Sequence, residues 1–293
     1  MNTTNALPGH RQASRMLLYT VVLFLLYGLL PGTLVPPAEA ILINNGLTHV
    51  YAVVPGGTYD GELLIANPDT SDVTLLLYLS DYLFDAEDTI EYGDPGSHAR
   101  SNAPWITIGA ERVTVPAGTE RAVPFRISVP DDPSLTGTYW SLIMVEPLPP
   151  EEFQEVDNFE EVTDPTFIIR TIVRYGIQII TDISGTGEPA LQLSGARLAL
   201  EPEGDGPTFV VDVANLGTQW INPDTWLELY DLQGTQLAII PGDGGRIFPN
   251  TSVRQRFFLP PLESGDYLAL LVIDGGGQHV FAARYTLRIE TEE

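Results

Sequence analysis

The sequence predicts an all-β protein: two tandem antiparallel β-sandwiches behind an N-terminal signal peptide. Three observations predict it. Short apolar runs with a period of two recur between clusters of Gly, Pro, Asn and Asp. The composition, with 27 Gly, 24 Pro and only 18% charged residues, suits turns and strands better than helices. A fixed order of turn motifs occurs twice.

The chain opens on a polar stretch with Arg11 and Arg15, then an apolar run over residues 16–30, then Pro31, Gly32, Pro36 and Pro37, then Ala38-Glu39-Ala40. This is the order of a secretory signal, with cleavage expected after Ala40. Retention as a membrane anchor is the alternative, against which stand the short run and the helix breakers that follow it. Residues 1–40 are therefore read as a signal peptide and the mature protein as exported, to the periplasm or the cell surface.

In the first half, Val73, Leu75, Leu77 and Leu79 mark a strand. Val123, Phe125, Ile127 and Val129 alternate with Pro124, Arg126, Ser128 and Pro130, which gives one buried and one wet face. Near the end, Phe281, Ala283, Tyr285, Leu287 and Ile289 alternate in the same way. A single sheet would leave an apolar face in water, so sheets must pack in pairs.

The repeat sets the domain count. One strand ends in Ala66-Asn67-Pro68, a turn reads Val115-Pro116-Ala117-Gly118, a strand runs to Val129-Pro130, and Gly137-Thr138-Tyr139 opens the next. The second half follows with Ala214-Asn215, Phe248-Pro249-Asn250-Thr251, Leu259-Pro260 and Gly265-Asp266-Tyr267. Asparagine at a strand end turns the chain through its own side chain, and proline stops strand pairing. Each Gly-x-Tyr resembles the tyrosine corner of immunoglobulin-like sandwiches, where the hydroxyl ties back to the crossing loop. The predicted domains are residues 41–185 and 188–293, joined near Ser184-Gly185-Thr186-Gly187-Glu188-Pro189 by a linker short enough to fix their angle.

Charge and residue types exclude several function classes. The 39 Asp and Glu against 14 Arg, with no lysine, give a formal charge of −25, which repels nucleic acid and anionic membranes. No cysteine is present, so disulfides, thiolate metal sites and cysteine nucleophiles are absent. His10, His49, His98 and His279 are scattered without metal-ligand spacing. Asp81, Asp85, Glu87 and Asp88 read as a solvated loop. The turns around Glu203 and Asp243 offer hard oxygen ligands without the alternating Asp pattern of a calcium loop, so no cofactor and no metal are expected. No nucleophile elbow or phosphate loop appears, and an enzyme is not expected.

Residues 147–165 are rich in proline and acid, and lead into an expected strand over residues 166–180. One face carries Phe167, Ile169, Thr171, Val173, Tyr175, Ile177 and Ile179; the other carries Ile168, Arg170, Ile172, Arg174, Gly176, Gln178 and Ile180. Two readings stand. In one, this is an internal strand whose arginines pair with surface carboxylates. In the other, part of it is an open edge beside the interdomain cleft, offered to a partner's strand.

The strand ending in Ala66-Asn67-Pro68, Trp105-Ile106-Thr107-Ile108, the turn at Pro116-Ala117-Gly118, the stretch from Val129-Pro130 to Gly137-Thr138-Tyr139-Trp140, and Arg174-Tyr175-Gly176-Ile177 together resemble the periplasmic chaperones of pilus assembly. That family has two immunoglobulin-like domains around a cleft. The resemblance implies a pilus-type or surface subunit as protein partner, held by strand addition at the last strand of the first domain. Ile168, Ile169 and Ile172 would lie in the donating stretch, and Arg170 or Arg174 would anchor the subunit's terminal carboxylate. The sequence departs from the family in having no basic residue over residues 41–54 and in a longer second domain. The expected function is an exported chaperone-like binding protein. A structural or adhesive surface module that binds through its loops is the alternative, and a carbohydrate-active enzyme with sugar-stacking tryptophans a third reading.

Overall fold

Strand signals in the sequence become seventeen β-strands in the computed structural model, which describes residues 41–149, 172–200 and 206–290. The expected signal at residues 1–40 lies outside the described residues. A three-residue 3-10 turn, Ala103–Trp105, is the helical element among them. No helix there is long and apolar enough to cross a membrane.

The first ten strands are β1 Leu42–Ile43, β2 Thr48–Val53, β3 Thr58–Ala66, β4 Val73–Phe84, β5 Ile90–Gly93, β6 Ile106–Ile108, β7 Arg112–Val115, β8 Glu120–Ser128, β9 Gly137–Pro147 and β10 Tyr175–Ile183. They form two sheets, ordered β1-β3-β8-β6 and β2-β10-β9-β4-β5, with β7 also on β4. Between them lies one core, including Leu63, Ile65, Leu75, Leu77, Phe125, Ile127, Ile143 and Ile177. The alternation at Val123, Phe125, Ile127 and Val129 holds, all four being buried.

All pairings between these strands but one are antiparallel. β1 pairs with β3 in the first sheet; after a turn with Gly46 at φ +88°, the chain crosses and β2 runs parallel to β10 in the second. Positive φ favours glycine there because it has no Cβ to clash.

The remaining strands are β11 Leu191–Leu200, β12 Pro207–Asn215, β13 Asp224–Tyr230, β14 Gln236–Pro241, β15 Ser252–Phe258, β16 Gly265–Asp274 and β17 Val280–Ile289. They make sheets β11-β12-β15 and β14-β13-β16-β17 around a second core of Phe209, Val211, Leu227, Leu229, Phe257, Leu271 and others. The fold is thus all-β, two immunoglobulin-like sandwiches in tandem.

The repeated turns are repeated chemistry. Asn67 Nδ2 donates to the carbonyls of Ser71 (2.8 Å) and Val115 (3.0 Å), and its Oδ1 accepts from the N–H of Asp69. Asn215 Nδ2 donates to the carbonyls of Gln219 (2.8 Å) and Ile247 (3.0 Å), and its Oδ1 accepts from Gly217. Thr119 and Thr251 donate their hydroxyls to the carbonyls of Pro116 and Phe248 in the matching turns. The tyrosine-corner expectation holds at Tyr267, whose hydroxyl donates to the Glu263 carbonyl at 3.0 Å. At Tyr139 the ring instead lies 4.7 Å from Trp105 and under the Arg100 guanidinium.

Glu39–Glu293 form one compact unit. Where the sandwiches meet, a third cluster gathers Tyr82, Trp140, Leu142, Met144, Ile180 and Phe248. Phe248 stacks on Trp140 at 4.7 Å, and Trp220 stacks on Phe248 at 6.0 Å. A polar lock lies beside it. The Thr138 N–H donates to the Thr218 carbonyl, the Thr138 hydroxyl donates to Asp182 at 2.6 Å, and Trp220 Nε1 donates to the same carboxylate at 3.0 Å. The backbones come so close that a Cβ on Gly137 would sit 1.9 Å from the Thr218 carbonyl oxygen.

One sequence expectation fails here. Asp81 is no part of a solvated loop: it is 1% exposed, within β4. The period-two pattern turns it inward, where its carboxylate accepts from the Ser101 hydroxyl (2.6 Å) and from the N–H and hydroxyl of Ser97 (2.7 and 3.2 Å). Those donors replace water around the carboxylate. Asp85, Glu87 and Asp88, just beyond, are exposed as expected.

Candidate functional site

β10 divides its side chains as the period of two requires. Ile177, Ile179 and Ile183 enter the first core, with Tyr175 packed against it. Gln178, Ile180 and Asp182 face the second sandwich: Ile180 is in the junction cluster, Asp182 meets Trp220, and Gln178 meets Arg246.

The expected strand over residues 166–180 is corrected at both described limits. Residues 172–174 are not strand, and the strand runs on to Ile183 because β2 and β9 flank it there. Ile168, Ile169 and Arg170 lie outside the described residues. Ile172 is 44% exposed and Val173 37% exposed, just before β10.

Pairing along β10 is uneven. β9 covers it from Tyr175 to Ile183, but β2 covers only Gln178 to Ile183. The last bond on the β2 side runs from the Gln178 N–H to the Leu47 carbonyl at 2.9 Å. Upstream the chain has turned away to β1, and among the described residues no strand lies beside residues 175–177 on that side. Since N–H and C=O groups alternate between neighbours along a strand, those of Gly176 are the next to face outward. β10 is thus flanked on both sides over residues 178–183 and, among the described residues, on the β9 side alone over residues 175–177.

The charges around this edge are specific. Arg174 Nη2 lies 2.9 Å from Glu146 Oε1 on β9, and the Tyr78 hydroxyl donates to the other oxygen of Glu146 at 3.2 Å. Burial, then that carboxylate, push the Tyr78 hydroxyl above its usual pKa. Arg246 reaches in from the second sandwich, its guanidinium 6.0 Å from the Trp220 ring centre and Nη1 donating to Gln178 Oε1 at 3.4 Å. Its Nε is buried without a hydrogen-bond partner, and among the described residues no carboxylate lies within 4.0 Å of it. Gln178 is itself held, donating to the Tyr82 hydroxyl at 2.6 Å and accepting from Thr48 at 3.2 Å. Burial pushes the Tyr82 hydroxyl far above its usual range, so it stays neutral.

Arg174 thus stands with Glu146 and Tyr78 just before β10, and Ile172 is exposed two residues earlier. Sequence reasoning missed Arg246, Gln178 and Tyr82, which come from three distant segments. The available signal was Arg246 itself, a single basic residue in the long stretch between Arg197 and Arg254. Among the described residues no three His, Asp or Glu side chains converge on a metal position. The Asp243 turn faces Arg256 at 3.7 Å, while Glu203 and Asp205 lie outside the described residues. What the arrangement offers chemically, among the described residues, is backbone without a partner strand on one side, exposed apolar side chains and a guanidinium lacking an anion.

No family model matches the chain, and no curated protein matches it. Among solved structures it is similar to the class 5 fimbriae chaperone CfaA, at 9% identity over 86% of this chain and 100% of the other, with a TM-score of 0.45. It is similar to the YadV chaperone at 13% identity, covering 84% of this chain and 99% of that one, with a TM-score of 0.43. It is similar also to the complex of the Salmonella enterica SafA pilin with the SafB chaperone, at 14% identity over 86% of this chain and 98% of that chain, with a TM-score of 0.39.

Proposed function

We propose that this chain is an exported chaperone-like binding protein, not an enzyme, which holds an extended segment of a protein partner by β-strand addition along residues 172–177. One observation carries the reading: β10 loses its β2 neighbour at Gln178 while remaining on β9, which leaves outward backbone groups beside exposed Ile172 and Val173. Main-chain hydrogen bonds to such an edge supply affinity, and alternate side chains supply selectivity.

Of the two anchors considered from the sequence, Arg174 is already paired with Glu146. Arg246, its guanidinium 6.0 Å from the Trp220 ring centre and with no carboxylate within 4.0 Å among the described residues, is the better anchor for a partner's terminal carboxylate. A charge-assisted bond there orients the bound segment along the edge. The partner class that the sequence resemblance implies is a pilus-type or surface subunit.

The test is capture of partner from the native envelope fraction by the wild-type protein and by Ile172→Asp, with co-purifying proteins identified by mass spectrometry. The expected result is a partner retained by the wild type and lost by the variant. Arg246→Ala should weaken a bound C-terminal peptide of that partner with a free carboxylate, and leave the amidated peptide unaffected. Equal capture by both proteins would transfer the reading to a surface module that binds through its loops.

A further inference from the structure

Asn45 and Gly46 stand where the chain crosses between the two sheets of the first sandwich, and they form the one Asn-Gly pair in the 293 residues. Before them the chain belongs to the first sheet: the Asn44 N–H donates to the Leu64 carbonyl on β3 at 2.8 Å. The Asn45 side chain makes two further ties to that strand, Nδ2 donating to the Glu62 carbonyl at 2.8 Å and Oδ1 accepting from the Leu64 N–H at 3.0 Å. Two residues on, the Leu47 carbonyl accepts from the Gln178 N–H at 2.9 Å, and the chain has joined β10. One side-chain amide thus holds the point from which β2 begins to flank β10.

Asparagine before glycine carries its own chemistry. The main-chain nitrogen of the following residue attacks the side-chain carbonyl carbon, and glycine, with no Cβ, screens that nitrogen least. Gly46 is exposed, and a Cβ placed on it would meet no atom within 4 Å. In the reaction the Gly46 nitrogen bonds to Asn45 Cγ, the Cγ–Nδ2 bond breaks, and ammonia leaves with the proton that the Gly46 nitrogen gives up. Water then opens the cyclic imide at one of its two carbonyls. Opening at the side-chain carbonyl returns aspartate; opening at the main-chain carbonyl gives isoaspartate, whose backbone runs through the former side chain. Water is the sole co-reactant. The native bonds oppose the first step, because displacing Cγ and expelling Nδ2 break both ties to β3.

We infer that Asn45 is a site of spontaneous deamidation and isomerisation, protected while the crossing turn is closed and reached when it opens. Either product replaces the Nδ2 donor with a carboxylate oxygen facing the Glu62 carbonyl, so a hydrogen bond becomes a repulsion between two acceptors. Isoaspartate also adds one atom to the main chain within the turn. The start of β2 is then released, and the one-sided stretch of β10 grows from residues 175–177 into Gln178. This holds whatever the edge binds.

The full chain, aged in mildly alkaline buffer with and without urea, tests the inference by peptide mapping. Aspartate and isoaspartate are expected at position 45, the latter recognised by its resistance to an Asp-specific protease. They should form roughly tenfold or more faster in urea than in the folded chain, where reaction waits on local opening. The extra negative charge allows the fraction modified in native buffer to be separated by anion exchange. In that fraction, and in Asn45→Asp, the Gln178 amide hydrogen should exchange roughly tenfold or more faster than in the unmodified protein. Should Asn45→Asp fail to fold, the separated fraction carries the exchange measurement alone. An Asn45 that survives intact in urea overturns the site, and equal rates with and without urea overturn its protection by the fold. Unchanged exchange at Gln178 in the modified fraction overturns the effect on β10.

Discussion

Trp140 of the first sandwich and Phe248 of the second lie face to face, ring centres 4.7 Å apart and planes 24° from parallel. Both are essentially inaccessible to water, and Tyr82, Phe84 and Trp220 also meet the Phe248 ring. One side chain from the second half thus fills a socket made mostly by the first. Phe248→Ala should cost about 3–5 kcal/mol, and calorimetry should resolve two transitions where the wild type gives one. A single transition shifted by less than a degree would refute the socket's role in joining the halves.

Two isoleucines eight residues apart separate edge from interior. Ile172 is 44% exposed before β10, whereas Ile180 is fully buried at the junction. Ile172→Asp should change stability by no more than about 0.5 kcal/mol. Ile180→Asp buries an unpaired carboxylate and should cost several kcal/mol. Chemical denaturation of both variants measures this, and comparable losses would mean that residues 172–177 are covered.

Asn67 and Asn215 tie the same turn in each sandwich, each donating to two carbonyls and accepting from the N–H two residues on, and Asn215 also accepts from the Ala190 N–H at 3.1 Å. Replacing either by alanine removes the side-chain donor to two carbonyls, and should cost about 2–3 kcal/mol at each position. Urea midpoints would test the parallel directly: the two losses should be of similar size, and a near-neutral Asn67→Ala would break the equivalence.

Burial holds the His49 and His98 imidazoles below the ordinary histidine range, the Asp81 carboxylate 4.0 Å from His98 opposing this only in part. The unfolded chain therefore binds more protons than the folded one below about pH 6.5. Their contribution is fully present above that pH and is lost as the pH falls toward the depressed folded values. Stability should thus decline between about pH 7 and pH 5.5, and His98→Gln should flatten the slope. A pH-independent wild type over that window would show that neither group is held neutral by the fold.

Local chemistry was legible in the sequence because it is set by near neighbours in the chain. Period-two alternation gave the inward faces of β8 and β17, and the Asn, Pro and Gly punctuation gave the repeated turns, since each asparagine bonds chain only a few residues away as well as across its turn. The same alternation sorted the two faces of β10 correctly. What only the tertiary structure decided is where those faces end up. Asp81 reads as one acid among many until β4 turns it toward Ser97 and Ser101. Whether β10 is edge or interior depends on where β2 crosses between sheets, more than a hundred residues earlier in the chain. Arg246 acquires meaning only beside Gln178 and Trp220, because sheet pairing and sandwich packing join segments that sequence separation keeps apart. Periodicity fixes which way a side chain points; only the assembled sheets fix what it meets.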